Sequence, residues 1–449
     1  MRRVGAWMAG AEGVESHVAR RMFWVALTVR VLYMTLAHTY RVRVLLDHFQ
    51  FGWEMGRIAR ALATGYGYAD PFNGHSGPTA WTPPLYPVLL AGVFKVFGVY
   101  TARSAWMILA INSVFSAGIA PAVYEMAWRC FGRDTKGLKV ALWSGWLWAL
   151  YPAAIQFAVH WIWEMSVTAF LFAWVLVLAL RVRGIGTPGS AQVQTARRWI
   201  GFGLLWGAIA LSNSSLLLFM PGCALWMVWG PRGLGNGIGR RLRNVTLSAI
   251  FFVAVVSPWV VRNWYAFHAF VPMRANLGAE IYESVRPSNH GFPWGAALPL
   301  AETAPDYLRY KRLGEVRYSK EQGERAGRII AAHRTLFYAH AVKRIYFFWV
   351  SVPHPIEKSV TVEVVREINY AFLSLGGLLG LLLALRRRVP GAWLFFWAFA
   401  MVPLPYYFLT VQARFRHPLE PVITVLIVYL FQSAELPRTE RRSMAEVQA

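Results

Sequence analysis

Residues 77–87 read GPTAWTPPLYP and belong to a polar, turn-rich segment, Asp47 to Ser104, that lies between two apolar spans near the N-terminus. Glu54 opens a helix-like pattern ahead of this stretch, and the prolines at positions 83 and 84 suit the start of a helix running through Leu85 to Phe97. Carboxylates, basic residues and aromatic residues are therefore placed beside a membrane. This layout favours chemistry over simple anchoring.

The composition sets the class of protein. Of the 449 residues, 56% are hydrophobic and 15% are charged, whereas an ordinary globular chain carries about 25% charged residues. Apolar windows repeatedly reach the roughly 20 residues that a bilayer core demands. The sequence thus predicts an all-α polytopic membrane protein with about ten transmembrane helices. The expected spans are residues 22–38, 105–127, 139–157, 161–180, 199–213, 215–230, 245–261, 368–385, 391–410 and 417–433.

The net charge of +24 arises from 46 Lys and Arg against 22 Asp and Glu. Because the basic residues cluster at alternate span ends, as at Arg20, Arg240 and Arg386, the excess indicates membrane topology and not a nucleic-acid partner. By the positive-inside rule we expect both termini to be cytoplasmic. Loops 40–104 and 262–367 then lie on the extracytoplasmic side.

Four segments follow from this topology. The sequence predicts an N-terminal transmembrane module over residues 1–261, which contains the first outer loop at 40–104. A long outer loop with interfacial helices covers 262–367, since a structureless loop of that length is implausible. C-terminal transmembrane helices at 368–433 and a cytoplasmic tail at 434–449 complete the chain.

The first outer loop contains an amphipathic helix over Phe51 to Thr64, because its apolar residues recur at helical spacing. Glu54 lies on another face, where a carboxylate in a membrane-adjacent cavity can hold an unusual pKa and serve as a base. An alternative is a surface ion pair with Arg57, three residues on. Asp47 is the second candidate for the base, or else a helix N-terminal charge.

Aromatic and polar residues accompany Glu54 in this loop. Because aromatic faces stack on sugar rings, we interpret them as candidate substrate-binding residues, although two of them also suit an interfacial aromatic belt. The set comprises Arg57, His75, Trp81 and Tyr86.

Several stretches, in chain order, resemble the C-superfamily (GT-C) glycosyltransferases. The closer likeness is to the bacterial branch with protein mannosyltransferases and the lipid A aminoarabinose transferase. The first outer loop carries it, through Glu54, IARALATG at 58–65 and PFNGHSGPTAWTPPLYPVLLAGVF at 71–94. Later agreement comes from SPWVVRNW at 257–264, VPMRANLGAE at 271–280 and ARFRHPLEP at 413–421.

The resemblance implies an inverting transfer of a sugar from a polyprenyl phosphate donor to an acceptor hydroxyl at the extracytoplasmic face. It also implies that an acidic residue of the first outer loop is the general base. Many members have two neighbouring acids there, whereas this chain has Phe51 and Gly52 near the position. Glu54 is favoured over Asp47 because its helix leads directly into the GPTAW turn.

Positive side chains at the outer ends of spans are candidates for binding the donor phosphate. Arg262 follows SPW at the end of a span, where a guanidinium can make a two-pronged phosphate contact or snorkel to the interface. Arg414, Arg416 and His417 enter the last span from outside, against the positive-inside rule, which suggests an anionic ligand. Further substrate-binding candidates, given less weight, are Arg274 and Asn276.

No metal site is predicted, because the histidines are scattered and no HExxH pattern occurs. The resemblance allows a divalent cation, although no residue pattern demands one. Glu164, near the outer end of a span, is interpreted as structurally paired.

Two classes of function remain open. A transporter or flippase of lipid-linked sugars would also be polytopic and cationic along its lining. The chain shows no duplicated halves, and its polar residues concentrate on the outer side and not at mid-membrane, which favours the enzyme. The sequence leaves the acceptor open among protein, lipid and glycan.

Overall fold

A computed structural model describes residues 12–42, 51–132, 134–186, 196–229, 237–286, 302–350, 352 and 359–434. Within these ranges the chain is helical and contains no strand, although one isolated antiparallel bridge joins Ala69 and Pro78. The prediction of an all-α polytopic membrane protein is confirmed. Asp47, the second candidate base, lies outside the described residues.

The helices are numbered here in chain order. They are α1 Glu12–Leu36, α2 Glu54–Ala63, α3 Leu85–Phe97, α4 Ala102–Phe131, α5 Thr135–Leu150, α6 Pro152–His160, α7 Met165–Val182, α8 Ala196–Ser212, α9 Met220–Val228, α10 Ile238–Phe267, α11 Leu277–Val285, α12 Pro305–Leu313, α13 Glu315–Ala332, α14 Arg334–Trp349, α15 Val360–Arg386, α16 Ala392–Met401, α17 Leu404–Phe408 and α18 Glu420–Ser433. Two 3-10 helices, Ser214–Phe219 and Ala413–Leu419, precede α9 and α18.

Four of the described helices are long and apolar enough to cross a membrane: α4, α7, α15 and the stretch Gly239–Phe267 of α10. The predicted span 22–38 overlaps α1, which has 25 residues, and the remaining predicted spans coincide with shorter or interrupted helices. The predicted span 139–157 is broken between α5 and α6, and 391–410 is broken between α16 and α17. Prolines begin α6 and flank the second break, where they cannot continue a helix. The total of ten spans stays a prediction.

A buried arginine holds the first of these breaks. Carbonyl groups in the last turn of α5 lack helical partners because the chain turns at Tyr151. Arg30 of α1 is inaccessible to solvent and donates to the carbonyls of Ala149 at 2.8 Å and Trp148 at 3.3 Å. Its Nε also donates to Ser116 Oγ at 3.0 Å. A cation at the negative end of a helix is stabilised there, so Arg30 ties α1 to α4 and α5.

Small residues bring the C-terminal helices together. A Cβ atom built on Gly380 of α15 would lie 2.3 Å from the carbonyl oxygen of Leu426 in α18. On the same helix, a Cβ on Gly377 would lie 3.2 Å from Ile423. Close backbone approach through glycine is a common way for helices to pack in membranes.

Helices α11 to α13, together called the accessory layer, pack on the first loop, which is the chain between α2 and α3 (residues 64–84). A cluster of aromatic rings joins the two parts: Phe72, Trp81, Tyr307, Tyr310 and Tyr318. The ring centroids of Phe72 and Trp81 are 4.9 Å apart, and those of Phe72 and Tyr310 are 5.0 Å apart, both edge to face. This buried contact fixes the first loop against the accessory layer.

The first loop is also clamped from two sides at Thr79. From α10, Arg262 donates to the carbonyl oxygens of Thr79 at 2.6 Å and Tyr68 at 2.5 Å. From α13, the buried carboxylate of Glu315 accepts from Thr79 Oγ1 at 2.5 Å and from the Ala80 amide at 2.6 Å. Charge-assisted bonds of this kind are stronger than neutral ones. The GPTAW turn is thus held between a membrane helix and the accessory layer.

Two further bonds extend the clamp. The amide of Ala275 donates to the Ala80 carbonyl at 3.1 Å, and Arg274 Nε donates to the Trp81 carbonyl at 2.9 Å. The backbone of a loop needs such partners when it is buried, because an unpaired polar group costs free energy. The clamp therefore explains why this loop keeps one conformation.

Replacing Thr79 by valine tests the clamp. We expect T79V to lower the free energy of unfolding by about 1–3 kcal/mol, because the buried Glu315 carboxylate loses a donor. The melting temperature in detergent and the rate of proteolysis in the first loop measure this loss. The matched control is T64V, since the exposed Thr64 hydroxyl bonds only to carbonyls of its own helix. Equal melting temperatures for the two variants would contradict the role of the clamp.

Candidate active site

Glu54 is the first residue of α2 and is brought to a second loop by close backbone packing. Gly52 adopts a φ of 91°, and a Cβ built on it would lie 2.4 Å from the carbonyl oxygen of Ile162. Only glycine fits this position without displacement. The start of α2 therefore lies against the loop between α6 and α7, which carries Trp163 and Glu164.

The surroundings of Glu54 change its acidity. Burial raises the pKa of Glu54 to about 7, against the opposing effects of a backbone hydrogen bond and the Arg414 charge. The negative charge of Glu280 raises it further, and Arg274 lowers it. The carboxyl group thus gains or loses a proton near neutral pH, as a general base requires. The predicted amphipathic helix occurs in the structure over Glu54–Ala63.

Arg414 is the cation of this site. It stacks over the Trp163 ring, with its guanidinium carbon 3.3 Å from the ring centroid. Burial lowers the pKa of Arg414 to about 10, and the carboxylates of Glu164, Glu54 and Glu280 act against that shift. Its Nε atom has no hydrogen-bond partner within the described parts of the chain. Arg414 is therefore oriented by stacking and retains hydrogen-bonding capacity for an anion.

Glu164 lies immediately before α7 and is 8% exposed. One of its carboxylate oxygens, Oε2, is buried and has no hydrogen-bond partner among the described residues. The sequence interpretation of Glu164 as structurally paired therefore omitted its contribution to this site. Electrostatic coupling to Arg414 places it in the same group of charges as Glu54. Its position beside Trp163 in a short loop was the only sequence signal.

Glu280 of α11 forms the opposite wall. Its Oε1 accepts from Asn276 Nδ2 at 2.9 Å and from Arg274 Nη2 at 3.2 Å. Its Oε2 lies 3.5 Å from Thr410 Oγ1. Arg274 and Asn276, which the sequence nominated for substrate contact, therefore orient Glu280. Glu280 and Arg274 are electrostatically coupled to Glu54, so they belong to the same group of charges.

Other nominated residues lie in supporting positions. Arg57 is buried and donates to the Pro71 carbonyl at 3.0 Å. Trp81 is 2% exposed within the aromatic cluster, and Tyr86 is buried with its hydroxyl 3.2 Å from Asn112 Oδ1. These contacts indicate loop and helix packing and not sugar stacking. Arg262 serves the Thr79 clamp described above.

Arg416 and His417 face away from Arg414. Both are fully buried and contact Glu420, at 3.4 Å from Arg416 Nη2 and 2.8 Å from His417 Nδ1. Arg416 also donates to the Tyr370 carbonyl at 2.9 Å. In a 3-10 helix, with three residues per turn, residues two apart point in different directions. Of the three basic residues nominated here, the structure brings Arg414 alone to Glu54.

His75 also lies apart from this group. Its imidazole is 2.9 Å from Asp70, and 64% of the side chain is exposed. It therefore belongs to a different surface of the first loop.

The group combines three carboxyl groups, of Glu54, Glu164 and Glu280, with two guanidinium groups, of Arg274 and Arg414. No set of three or more histidine, cysteine or acidic residues close enough to hold a metal is found among the described residues. The guanidinium groups of Arg414 and Arg274 lie among the carboxylates and would repel a cation.

No protein-family model matches the sequence, and no curated protein sequence matches it. Among solved structures, the apo oligosaccharyltransferase of Archaeoglobus fulgidus is similar, with a TM-score of 0.53 and 14% identity over 96% of this chain and 52% of that chain. The same enzyme tethered to an acceptor peptide has a TM-score of 0.50 and 15% identity, over 92% of this chain and 49% of that chain. ArnT from Cupriavidus metallidurans bound to undecaprenyl phosphate has a TM-score of 0.38 and 15% identity, over 94% of this chain and 78% of that chain.

These likenesses concern the fold. The chain spans about half the length of the oligosaccharyltransferase that it resembles. The overall fold of this chain is therefore similar to that of the oligosaccharyltransferase, in agreement with the predicted resemblance. The protein is a multi-pass membrane protein with this architecture.

The raised pKa of Glu54 has a consequence for stability. The folded value of about 7 exceeds the ordinary value of 4.5, so the stability contributed by the protonated group is present below pH 4.5 and is lost as the pH rises through 7. We expect the free energy of unfolding of E54Q to exceed that of the native protein at pH 8 by on the order of 1–3 kcal/mol, and this advantage to disappear near pH 4.5.

The measurement is a series of melting curves between these pH values. E324Q changes an exposed glutamate on α13 and is the matched control. If the melting temperature of E54Q exceeded that of the native protein by the same amount at both ends of the pH range, the result would be inconsistent with the shifted pKa of Glu54.

Proposed function

We propose that this protein is an inverting glycosyltransferase that moves a sugar from a polyprenyl phosphate donor to an acceptor hydroxyl at the extracytoplasmic face of a bacterial inner membrane. The single observation that carries the proposal is the electrostatic coupling of two groups. Glu54 has a pKa of about 7, and the guanidinium group of Arg414, which is coupled to it, has no hydrogen-bond partner for Nε among the described residues. The GT-C fold and the resemblance of the first loop support it.

The proposed reaction needs only these groups and the two substrates. The Glu54 carboxylate accepts the proton of the acceptor hydroxyl, and the acceptor oxygen forms a bond to the anomeric carbon. The bond between that carbon and the phosphate oxygen breaks, and polyprenyl phosphate leaves with the bonding electron pair. Attack opposite the leaving group inverts the anomeric carbon.

Arg414 stabilises the leaving group. Negative charge develops on the phosphate as the bond breaks, and a preorganised cation in a partly dry site stabilises that charge strongly. The guanidinium plane suits two phosphate oxygens at once. Stacking on Trp163 fixes that plane before the donor binds.

Two further carboxylates, those of Glu164 and Glu280, reduce the net positive charge around Arg414 and Arg274. Glu164 and Glu280 partly offset Arg414 and Arg274 while the site is empty. A guanidinium group left without any counter-charge would cost free energy in this half-buried position. The donor phosphate then competes with these carboxylates for Arg414.

Changing Glu54 to glutamine tests the base. We expect E54Q to retain the fold and to lose glycosyl transfer by about 10²–10⁴-fold, because the amide cannot accept the proton. Transfer is measured with purified protein and a panel of prenyl-phosphate sugars, by identification of the labelled product. E324Q is the control and should transfer normally. A flippase would keep translocating substrate with E54Q, so retained translocation without any transfer by the native protein would favour that alternative.

The pH dependence of transfer follows from the same group. Since the base must be deprotonated, we expect kcat/KM to rise with pH through about 7, the pKa of Glu54. Removing the Arg414 charge in R414Q should raise the pKa of Glu54 and move the profile to higher pH. A profile that is flat between pH 5 and 9 would remove Glu54 from the role of base.

Arg414 and Arg416 form a matched pair of variants. We expect R414Q to weaken binding of undecaprenyl phosphate by about 10–100-fold, because charged hydrogen bonds are worth about 1.5–3 kcal/mol. R416A should instead destabilise the protein by about 3–5 kcal/mol, because buried Glu420 loses its guanidinium partner. Binding titrations and melting curves separate the two. Reversed results would place the phosphate at Arg416.

A further inference from the structure

A second surface of the first loop forms an open pit at the end of α2. It is lined by the side chains or backbone of Arg60, Thr64, Tyr66, Asp70, Gly74 and His75. Its volume of about 450 Å³ lies within the roughly 300–1,000 Å³ that small-molecule sites occupy. None of these residues takes part in the proposed transfer step.

The pit is built around a fixed carboxylate. Asp70 is 2% exposed and adopts a left-handed backbone conformation with φ of 59°. Its Oδ1 accepts from the Gly77 amide at 3.0 Å, and its own amide donates to the Gly77 carbonyl at 3.0 Å. Asp70 therefore cannot swing out of the pit floor.

Asp70 also orients the wall of the pit. Its Oδ2 lies 2.9 Å from His75 Nδ1, and since an ionised carboxylate can only accept, Nδ1 is the donor. Nε2 of His75 is then left for an external partner. The Tyr66 ring lies 4.4 Å from the imidazole and is 60% exposed. The result is a polar floor beside an accessible aromatic face.

The mixture of charges selects the ligand. Arg60 supplies hydrogen-bond donors, whereas the carboxylate of Glu302, which lies beside Gly74 at the pit, supplies acceptors. A phosphate would meet the Glu302 carboxylate beside Gly74, and a basic peptide would meet Arg60, so neither is favoured. Sugar hydroxyls both donate and accept, and the apolar face of a sugar ring can pack on Tyr66. We infer that this pit binds a neutral sugar unit.

The place of the pit suggests which substrate carries that sugar. The ten residues of α2 separate it from Glu54, a distance of about 15 Å along the helix. This inference rests on the proposed function: the acceptor is a glycan with two contact points. The sugar unit far from the reacting end binds at Tyr66 and His75, and a hydroxyl group at the reacting end reaches Glu54. A subsite remote from the reacting atoms can supply binding energy that orients the acceptor.

Direct binding tests the pit without relying on transfer. The full chain carrying E54Q is titrated in detergent with free mannose and with neutral mannose oligosaccharides of increasing length. We expect the longer oligosaccharides to bind, and Y66A and H75A each to weaken that binding at least tenfold. Y338A is the matched control, since Tyr338 on α14 is 62% exposed and distant in sequence from the pit. Melting curves confirm that each variant is folded.

The outcomes separate the two proposals. Absence of oligosaccharide binding, or binding that Y66A leaves unchanged, overturns the sugar subsite, and loss of transfer in E54Q would still support the transferase. Oligosaccharide binding that depends on Tyr66 supports the subsite even if no prenyl-phosphate sugar is ever transferred. Binding of a cationic peptide at Tyr66 in place of the oligosaccharides would overturn the glycan assignment.

Discussion

The structure depends on the hydrogen bonds that Arg262 and Glu315 make to one residue, Thr79. A membrane helix supplies the arginine and the accessory layer supplies the carboxylate, so the first loop is pinned between the two parts of the molecule. Buried backbone groups need partners of this kind. Because the same loop connects α2 to α3, the clamp also limits where α2 can lie and therefore where Glu54 can lie. Close packing of Gly52 on Ile162 completes the placement.

The site that results is an arrangement of opposed charges with one unsatisfied cation. Arg274 is engaged by Glu280 and by the Trp81 carbonyl, whereas Arg414 is stacked on Trp163 with an unpaired Nε among the described residues. Burial disfavours the ionised form of Glu54 while Arg414 favours it. The balance holds the pKa of this carboxyl group near neutrality, and a bound anion would move it.

Several features could be predicted from sequence because they are local. The extent of α3, the amphipathic pattern of α2 and the segments of high hydropathy follow from residue order and from the length a bilayer imposes. The roles of individual residues within the site were harder to predict from the sequence. Arg414 and Arg416 share one short motif and one sign of charge, yet only packing shows that Arg416 belongs to Glu420. Trp81 and Tyr86 likewise have the composition of sugar-binding residues, but their rings and hydroxyl are used in buried contacts.

The sequence by itself determined the membrane class, the helical architecture and the candidacy of Glu54, since hydrophobicity and helical periodicity are properties of neighbouring residues. The tertiary structure alone decided that Glu164, Glu280 and Arg414 share the surroundings of Glu54. These residues are separated by over a hundred positions, and electrostatic coupling depends on distance in space and on burial, neither of which a single sequence records. Only the packing of the helices therefore separates the arginines that support the structure, such as Arg416, from Arg414, which is coupled to Glu54.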